Sequence, residues 1–288
     1  MADAYDVVVI GGGIAGISAA FAVAQRGQQV AVVERESTLT AHSTGRSAAQ
    51  FLASYGEATN RRLSAASREF LDSDADGLAD SAVLIPRNVL WVAPAGLEDR
   101  LVERVEANQV TETECELIDA ARTIEICPAL DPDWLAGGVI EYGGFDIDVA
   151  GLHQAYVRGA RERGVTILRD RNVRNLINKR SGWHVDTAEG SLSCDVVVNA
   201  AGAWADEVAK LAGAETVGMR PLRRTVFTFS TGFDPRADDF VWCAGQGGTG
   251  IQTAPAIGRL VAALISDEVL PEELASLTPA VSPERFMH

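Results

Sequence analysis

Cysteine is scarce in this chain and follows no motif. The four cysteines, Cys115, Cys127, Cys194 and Cys243, stand far apart, with no Cys-x-x-Cys pair and no metal-ligand spacing. Disulfide frameworks and zinc sites both need such spacings. The pattern favours reduced thiols in a cytoplasmic protein, and it predicts no metal site.

Long hydrophobic runs and excess positive charge are absent too. No apolar run is long enough to span a bilayer, and no basic segment precedes the first apolar run at residue 6. We therefore expect neither an integral membrane segment nor a signal peptide. The 25 Lys and Arg residues are outnumbered by 40 Asp and Glu, giving a net charge of -15, which argues against nucleic acid or an anionic membrane as a partner. With 47% hydrophobic residues over 288 positions, the chain can bury a full core, in two domains or one large one.

What is present begins with the stretch YDVVVIGGGIAGISAAFAVAQRGQQVAVVER, at residues 5–35. Residues 6–10 and 29–33 have the composition of short buried strands, and residues 14–25 that of a helix. A strand, a turn, a helix and a second strand in this order predict a βαβ unit of an α/β fold.

The turn of this unit carries glycines at GxGxxG spacing. Gly11 permits a tight turn, Gly13 permits close approach of a pyrophosphate, and Gly16 permits close packing of helix on strand. Glu34 ends the second strand, where a carboxylate accepts hydrogen bonds from ribose hydroxyls. The complete register favours dinucleotide binding over an ordinary glycine-rich turn.

Three further turns have a similar composition. Residues 42–50 (HSTGRSAAQ) suit a second close approach to a ligand, although Ser43 or Thr44 could equally cap a helix that starts there. An apolar strand at residues 195–199 leads into the small-residue turn AAGAW. The glycine loop of residues 245–250 precedes a helix, which is an anion-binding arrangement.

The rest of the chain predicts alternating helices and strands. We expect helices at residues 60–80, 97–107, 119–126, 151–163 and 205–211, and strands or a hairpin broken at Pro86 within residues 83–92. A meander at residues 172–177, 183–186 and 191–194 should precede the separate strand at 195–199. Strands are also expected at residues 220–230 and 240–244.

The blocks GGGIAG, NAAGAWAD and AGQGGTGIQTAPAIGRL, in this order, resemble the D-amino-acid oxidase superfamily of FAD enzymes. HSTGRSAAQ, the following Tyr55-Gly56, and the stretches LHQAYVRGARERG and RPLRRTVFTF are most similar to the D-arginine dehydrogenase and glycine oxidase branch. The resemblance implies a glutathione-reductase-type Rossmann domain that binds FAD, with a smaller, truncated β-rich substrate domain. The FAD domain would comprise residues 1–80, 145–218 and 240–288, and the substrate domain residues 81–144 and 219–239.

The resemblance also implies roles for particular residues. Those expected to contact FAD are Gly11, Gly13, Ile14, Ala15 and Gly16 at the pyrophosphate, Glu34 and Arg35 at the ribose, Ser43, Thr44, Ser47, Ala48, Ala49 and Gln50 along the phosphates, Val173 at the adenine, Ala201, Gly202 and Trp204 beside the cofactor, and Gly247, Gly248, Gly250, Ile251, Gln252 and Thr253 near the flavin ring. Tyr55 and Arg224 remain on the substrate side.

Several positions depart from the family pattern. Only nine residues join the strands at 220–230 and 240–244, where the family has a long stretch with the arginine that pairs with the substrate carboxylate. Val89 stands where arginine-specific enzymes have an acid, Gln50 replaces a histidine, and Thr249 replaces an aromatic residue. These departures predict a small or apolar substrate.

Three residues keep alternative interpretations. Tyr55 either covers the substrate pocket or is a half-buried loop aromatic, and Arg223 and Arg224 either reach a carboxylate or end a solvated strand. His42 is a solvated turn residue or a covalent flavin attachment point.

The sequence thus predicts an FAD-dependent oxidoreductase that oxidises the CH–NH2 group of a small, D-series amino acid. The partners expected are that substrate and an electron acceptor, either oxygen or a quinone. A shortened flavin-binding protein with little or no catalysis is the alternative. An NAD-binding Rossmann protein would leave the last glycine loop without a role.

Overall fold

The computed structural model describes residues 3–180, 182–222, 259, 263 and 272–276. Within them the chain is a mixed α/β protein. Its strands are β1 (Asp3–Ile10), β2 (Val30–Val33), β3 (Gln50–Phe51), β4 (Leu84–Pro86), β5 (Val89–Pro94), β6 (Cys115–Asp119), β7 (Leu135–Glu141), β8 (Phe145–Ile147), β9 (Thr166–Leu168), β10 (Val173–Lys179), β11 (Gly182–Thr187) and β12 (Gly190–Asn199).

Helices separate several of these strands. They are α1 (Ile14–Ala24), α2 (Ala58–Asp72), α3 (Asp99–Val110), α4 (Ala120–Ile126), α5 (Val149–Glu162) and α6 (Ala205–Leu211), with a short helix at Glu272–Ala275 and 3₁₀ turns at Thr44–Arg46 and Gly202–Trp204. Among the described residues, no helix is long and apolar enough to cross a membrane. No group of three or more potential metal ligands occurs in the same residues.

The main sheet has six strands in the order β10-β11-β12-β1-β2-β9. Strands β12, β1, β2 and β9 run parallel, and β10, β11 and β12 form an antiparallel meander. The last four residues of β1 and all of β2 are buried, as the β-branched runs predict. This is the Rossmann-type arrangement expected from the βαβ register.

Helices α1 and α5 cover one face of this sheet. Nearly every residue of α1 is buried, and Phe21 meets Tyr156 of α5 edge-to-face at 5.5 Å between ring centroids. Gly159 lies against Phe21, where a Cβ would come within 2.6 Å of the ring. The two helices therefore pack closely behind the turn that joins β1 to α1.

Two three-stranded sheets lie outside the main one, with orders β3-β8-β4 and β5-β7-β6. Strands β4 and β5 belong to different sheets, so residues 83–92 form two short strands and no hairpin. Because β4 pairs with β8, the predicted substrate segment 81–144 is hydrogen-bonded to the predicted FAD segment from residue 145. The domain boundaries themselves stay predictions.

Several sequence predictions were wrong in detail. Helix α2 ends at Asp72 and does not reach residue 80, because Asp74, Ala75, Asp76 and Gly77 all have positive φ. Residues 190–199 form one strand, since β12 pairs with β11 on one side and with β1 on the other. The strands β6 and β7 were missed because their runs are short and contain charged residues or glycines.

Candidate functional site

The glycine turn, Gly11–Gly16, is held at the carboxyl ends of three parallel strands. The Gly11 N–H donates to the Val33 carbonyl of β2, and the Ala200 N–H, just after β12, donates to the Ile10 carbonyl, both at 2.9 Å. Gly11 has φ +108°, and a Cβ there would lie 2.4 Å from the Ala200 oxygen. Glycine is therefore required here by both conformation and space.

Gly16 has a purely steric role. A Cβ at this position would lie 1.8 Å from the Gly11 carbonyl oxygen, so only glycine allows α1 to pack against the turn. The prediction of close helix–strand packing at Gly16 agrees with this contact.

The Glu34 carboxylate ties the turn to the end of β2. It is buried, and its Oε2 accepts from the Gly12 N–H at 2.8 Å. Its Oε1 accepts from the Glu36 N–H at 2.9 Å. Each carboxylate oxygen has a second acceptor position, so these bonds leave capacity for two ribose hydroxyls.

Thr44 brings the HSTGRSAAQ block to the start of α1. Gly13 is the N-cap of this helix and supplies no side chain, but the Ile14 N–H donates to Thr44 Oγ1 at 3.0 Å. The alternative that Ser43 or Thr44 caps a helix of its own was wrong, because only the 3₁₀ turn Thr44–Arg46 follows and Ser43 makes no side-chain cap bond. The Thr44 hydroxyl proton remains able to donate to a phosphate at the helix N-terminus.

An aromatic and charged wall adjoins Glu34. The Arg35 guanidinium lies 3.7 Å from the Trp204 ring centroid, and the His42 ring lies 4.6 Å from it, centroid to centroid. His42 Nε2 and Glu36 Oε1 are 2.9 Å apart, and hydrogen bonds from His42 and Arg35 lower the pKa of Glu36. His42 therefore lies at the ribose end of the site, in contact with neighbouring side chains.

These elements line a single pocket. Of the predicted cofactor residues, the pocket brings together Gly11, Gly13, Glu34, Arg35, Ser43, Thr44, Val173, Ala201, Gly202 and Trp204. Ile14, Ala15 and Gly16 form the first turn of α1. Ser47, Ala48 and Ala49 lead away from the pocket into β3, where Gln50 Nε2 donates to Asp146 Oδ1 at 3.4 Å. Gly247, Gly248, Gly250, Ile251, Gln252, Thr253, Arg223 and Arg224 lie outside the described residues.

Some pocket residues escaped the sequence reasoning. Arg171 and Asn172 precede Val173, and Glu207, Val208 and Leu211 belong to α6. The Arg171 N–H donates to the Glu34 carbonyl at 2.8 Å, which holds this segment at the edge of the pocket. Their only sequence signal is proximity to residues that were predicted.

A buried polar cluster surrounds Tyr55 on the predicted substrate side. We call Glu141, Ser54, Trp91, Arg104 and Tyr55 the Glu141 cluster. The fully buried Glu141 carboxylate accepts from Ser54 Oγ at 2.6 Å and from Trp91 Nε1 at 2.9 Å.

Two contacts complete the Glu141 cluster. The Arg104 guanidinium lies 3.7 Å from the Trp91 ring centroid and donates to Ser54 Oγ at 3.2 Å. Tyr55 stacks on Trp91 with 6.3 Å between centroids and 17° between ring planes. Tyr55 is thus a half-buried loop aromatic that stacks on its neighbour, and its role as a cover of the substrate pocket stays a prediction.

The residues of the pocket fit FAD. Backbone groups at the glycine turn, a helix start whose N-cap residue Gly13 has no side chain, and a carboxylate with remaining acceptor positions match a pyrophosphate and its ribose. At Gly11 and Gly16 a Cβ would collide with backbone atoms, so the turn requires glycine at both positions.

Comparisons with known proteins agree with this fit. The family model described as FAD dependent oxidoreductase, DAO, matches residues 6–235. The mitochondrial dimethylglycine dehydrogenase of Rattus norvegicus is 28% identical over 217 residues, covering 74% of this chain and 25% of that protein. Glycerol-3-phosphate dehydrogenase 1 of Mycobacterium tuberculosis is 30% identical over 249 residues, covering 78% and 46%.

A solved structure shows the same fold. The crystal structure of glycine oxidase from Geobacillus kaustophilus has a TM-score of 0.66 to this chain at 24% identity, covering 73% of this chain and 59% of that chain. In sequence, that enzyme is 25% identical over 214 residues, which are 56% of its length. The chain spans between about a quarter and about three fifths of these relatives. It belongs to the DAO family of FAD-dependent oxidoreductases, with FAD as its cofactor.

Proposed function

We propose that this chain holds FAD non-covalently and oxidises the CH–NH2 group of a small amino acid to an imino acid, which hydrolyses to a 2-oxo acid and ammonia. Bound FAD supplies the hydride acceptor for this chemistry. If the amine arrives neutral, no side chain need act as a strong base, and the protein contributes orientation and electrostatics. Dimethylglycine dehydrogenase and glycine oxidase support the amine class, because each is named for a glycine-type compound.

The observation that carries the substrate proposal is the apolar wall beside Tyr55. Val89 is buried against Leu52, with Tyr55 and Trp91 packed on the pair. Glu141 is the cross-strand partner of Val89, but its carboxylate is buried and bonded to Ser54 and Trp91. The Arg104 guanidinium already stacks on Trp91, so a second guanidinium brought here would lie without a carboxylate partner, which is costly. The substrate side chain is therefore small or apolar, and its D configuration rests on the resemblance of the HSTGRSAAQ block.

Tyr55 and Arg224 are the proposed substrate-side residues. The stack on Trp91 would hold Tyr55 as a cover over the substrate pocket, and Arg224 would anchor the substrate carboxylate. The electron acceptor is oxygen or a quinone, and we propose a cytoplasmic location.

The test is anaerobic bleaching of the flavin by a panel of D-alanine, D-methionine, glycine, D-arginine, L-alanine and glycerol 3-phosphate. We expect D-alanine or D-methionine to bleach it faster than D-arginine. If glycerol 3-phosphate bleached the flavin fastest, the substrate would instead be the compound for which the mycobacterial relative is named. No bleaching by any compound would favour a flavin-binding protein without catalysis.

Non-covalent attachment has its own test. His42 lies at the ribose end of the pocket, next to Glu36 and Trp204, which supports a non-covalent cofactor. Acid precipitation should release all of the flavin into the supernatant. Flavin retained on the pellet would contradict this and restore His42 as an attachment candidate.

A further inference from the structure

His153 is the buried polar residue that the site described above does not use. It lies on α5, is almost fully buried, and its Nε2 is 2.9 Å from the Gly12 carbonyl oxygen. Its Nδ1 is buried and has no hydrogen-bond partner within the part of the chain that the structure describes. The sequence signal was a single histidine between apolar positions, Leu152 and Ala155, on the buried face of an amphipathic helix.

The tautomer of His153 follows from its partner. A carbonyl oxygen only accepts, so the proton must sit on Nε2 and the ring donates to Gly12. Nδ1 is then the unprotonated nitrogen. Burial lowers the pKa of His153, against the opposing effect of the Gly12 carbonyl, so the neutral ring is the form that fits.

Gly12 is consequently held at both of its backbone polar groups. Its N–H donates to Glu34 at the end of β2, and its carbonyl accepts from His153 on α5. In a trans peptide the C=O and the next N–H point in opposite directions. Because the Gly12 carbonyl points toward α5, the Gly13 N–H of the same peptide points away from α5. Gly13 lines the cofactor pocket, whereas His153 does not, so this N–H is on the side of the pocket.

We propose that His153 is a positioning residue for FAD, which orients the Gly12–Gly13 peptide so that the Gly13 N–H faces the pyrophosphate. It acts through the backbone and does not touch the cofactor. The proposal concerns cofactor binding and is independent of the substrate proposed above.

Among the described residues, no charged side chain is a cause of the lowered pKa of His153. Helix α1 contains no titratable residue, and the 3₁₀ turn contributes only the exposed Arg46. On α5 itself, Tyr156 is buried with a raised pKa, and Asp148 caps the helix through the Gly151 N–H. Glu34 lies on the N–H side of Gly12. The phosphates of bound FAD would add negative charge, so protonation is best measured on the apoprotein.

The first experiment is titration of apoprotein with FAD, followed by flavin fluorescence. Glutamine places its amide N–H₂ near the position of histidine Nε2, whereas asparagine is one carbon shorter. We expect His153→Asn to weaken FAD binding about tenfold or more and His153→Gln to stay within about threefold of the parent. His184→Asn is the control, because His184 pairs with Asp186 at 3.0 Å on β11, and it should leave FAD affinity unchanged. Equal affinities for the Gln and Asn variants would overturn the proposal.

The second experiment needs no substitution in the measured protein. Nitrogen-15 NMR of the labelled apoprotein distinguishes the tautomers of its four histidines, with His153→Gln used only to assign the signal. We expect His153 to be the Nε2–H tautomer and to stay neutral just below pH 6.5, the ordinary histidine value. A proton on Nδ1, or protonation of the ring at that ordinary value, would overturn the proposal even if His153→Asn fails to fold.

Discussion

The glycine turn and the Glu141 cluster both join segments that are distant in the sequence. The turn does so with backbone groups, and the Glu141 cluster does so with side chains. The turn uses backbone groups and the absence of side chains: Gly11 and Gly16 leave no room for a Cβ. The Glu141 cluster uses long side chains around a buried carboxylate, tied to Ser54 and Trp91. A ligand bound at the turn contacts mainly backbone groups, which suits a cofactor that does not vary. The surface of the Glu141 cluster depends instead on which side chains it contains.

This contrast predicts different responses to substitution, the largest at Gly16. In Gly16→Ala the added methyl group would meet the Gly11 carbonyl at a distance that no contact tolerates. We expect a loss of about 3 kcal/mol or more in the free energy of unfolding and no bound flavin. Chemical denaturation and the visible spectrum measure both.

The control for Gly16 is Gly27, just past the end of α1. A Cβ at Gly27 has no neighbour within 4 Å, and only its φ of +82° opposes a side chain. Gly27→Ala should cost about 1 kcal/mol and keep the flavin. A Gly16→Ala protein as stable and as yellow as Gly27→Ala would contradict the packing described for the turn.

At the Glu141 cluster we expect a smaller loss in the free energy of unfolding than at Gly16, and no change in FAD binding. Glu141→Ala leaves the Ser54 hydroxyl and the Trp91 indole N–H without their acceptor in a buried position, at a cost of about 2–3 kcal/mol. FAD affinity should stay at the parent value, because the cluster lies apart from the pocket residues. Denaturation and FAD titration are the measurements.

Glu116→Ala is the matched control for that change. Glu116 lies on the neighbouring strand β6, is exposed, and accepts a hydrogen bond from the Tyr142 hydroxyl at 3.0 Å, so its loss should cost less than about 0.5 kcal/mol. Equal effects of the two substitutions would show that the Glu141 hydrogen bonds contribute nothing specific.

Sequence reasoning succeeded at the turn because its information is local. Gly11, Gly13, Gly16 and Glu34 lie within 24 residues, at the spacing that a dinucleotide-binding βαβ unit uses. Gly11, Gly16 and Glu34 each make a close contact with backbone atoms of the unit or its neighbouring strand. The Rossmann-type fold was predicted from that register and is confirmed, whereas the order of the six strands was not predicted.

The Glu141 cluster could not be found in the same way. Its members lie on a loop, two strands and a helix, and the Ser54–Glu141 bond joins residues 87 apart. A buried glutamate in a short, glycine-containing strand has no periodicity to mark it. Thr44 was found, but its role was not, because the helix that it caps starts 30 residues earlier.

Thr44 offers a milder test of the turn. Thr44→Val keeps the shape of the side chain but removes the acceptor for the Ile14 N–H, which should cost about 1 kcal/mol of stability. FAD affinity should fall as well, since the hydroxyl also adjoins the phosphate position. Thr44→Ser, which keeps the hydroxyl, should restore both, and a Ser variant as weak as the Val variant would argue against this role.

The smallest expected effect is a pH dependence from His153. Burial lowers its pKa from the ordinary value of 6.5, so the folded state binds fewer protons than the unfolded state just below that pH. The contribution of the neutral His153 ring to the free energy of unfolding is therefore complete above pH 6.5, and it is lost as the pH falls toward the folded-state pKa. Urea denaturation should show a steeper loss of stability on acidification for the parent than for His153→Gln, and parallel curves would contradict the burial argument.

The most direct test of the division between turn and cluster is FAD affinity in Gly13→Val and Glu141→Gln. A valine at Gly13 places a side chain against Thr44 Oγ1, which a Cβ alone would approach to 3.1 Å, and into the pyrophosphate position. Glutamine at Glu141 keeps the shape of the cluster and leaves the pocket untouched. We predict a colourless Gly13→Val protein and a Glu141→Gln protein that binds FAD as tightly as the parent. A yellow Gly13→Val protein, or a Glu141→Gln protein that has lost its flavin, would contradict this account.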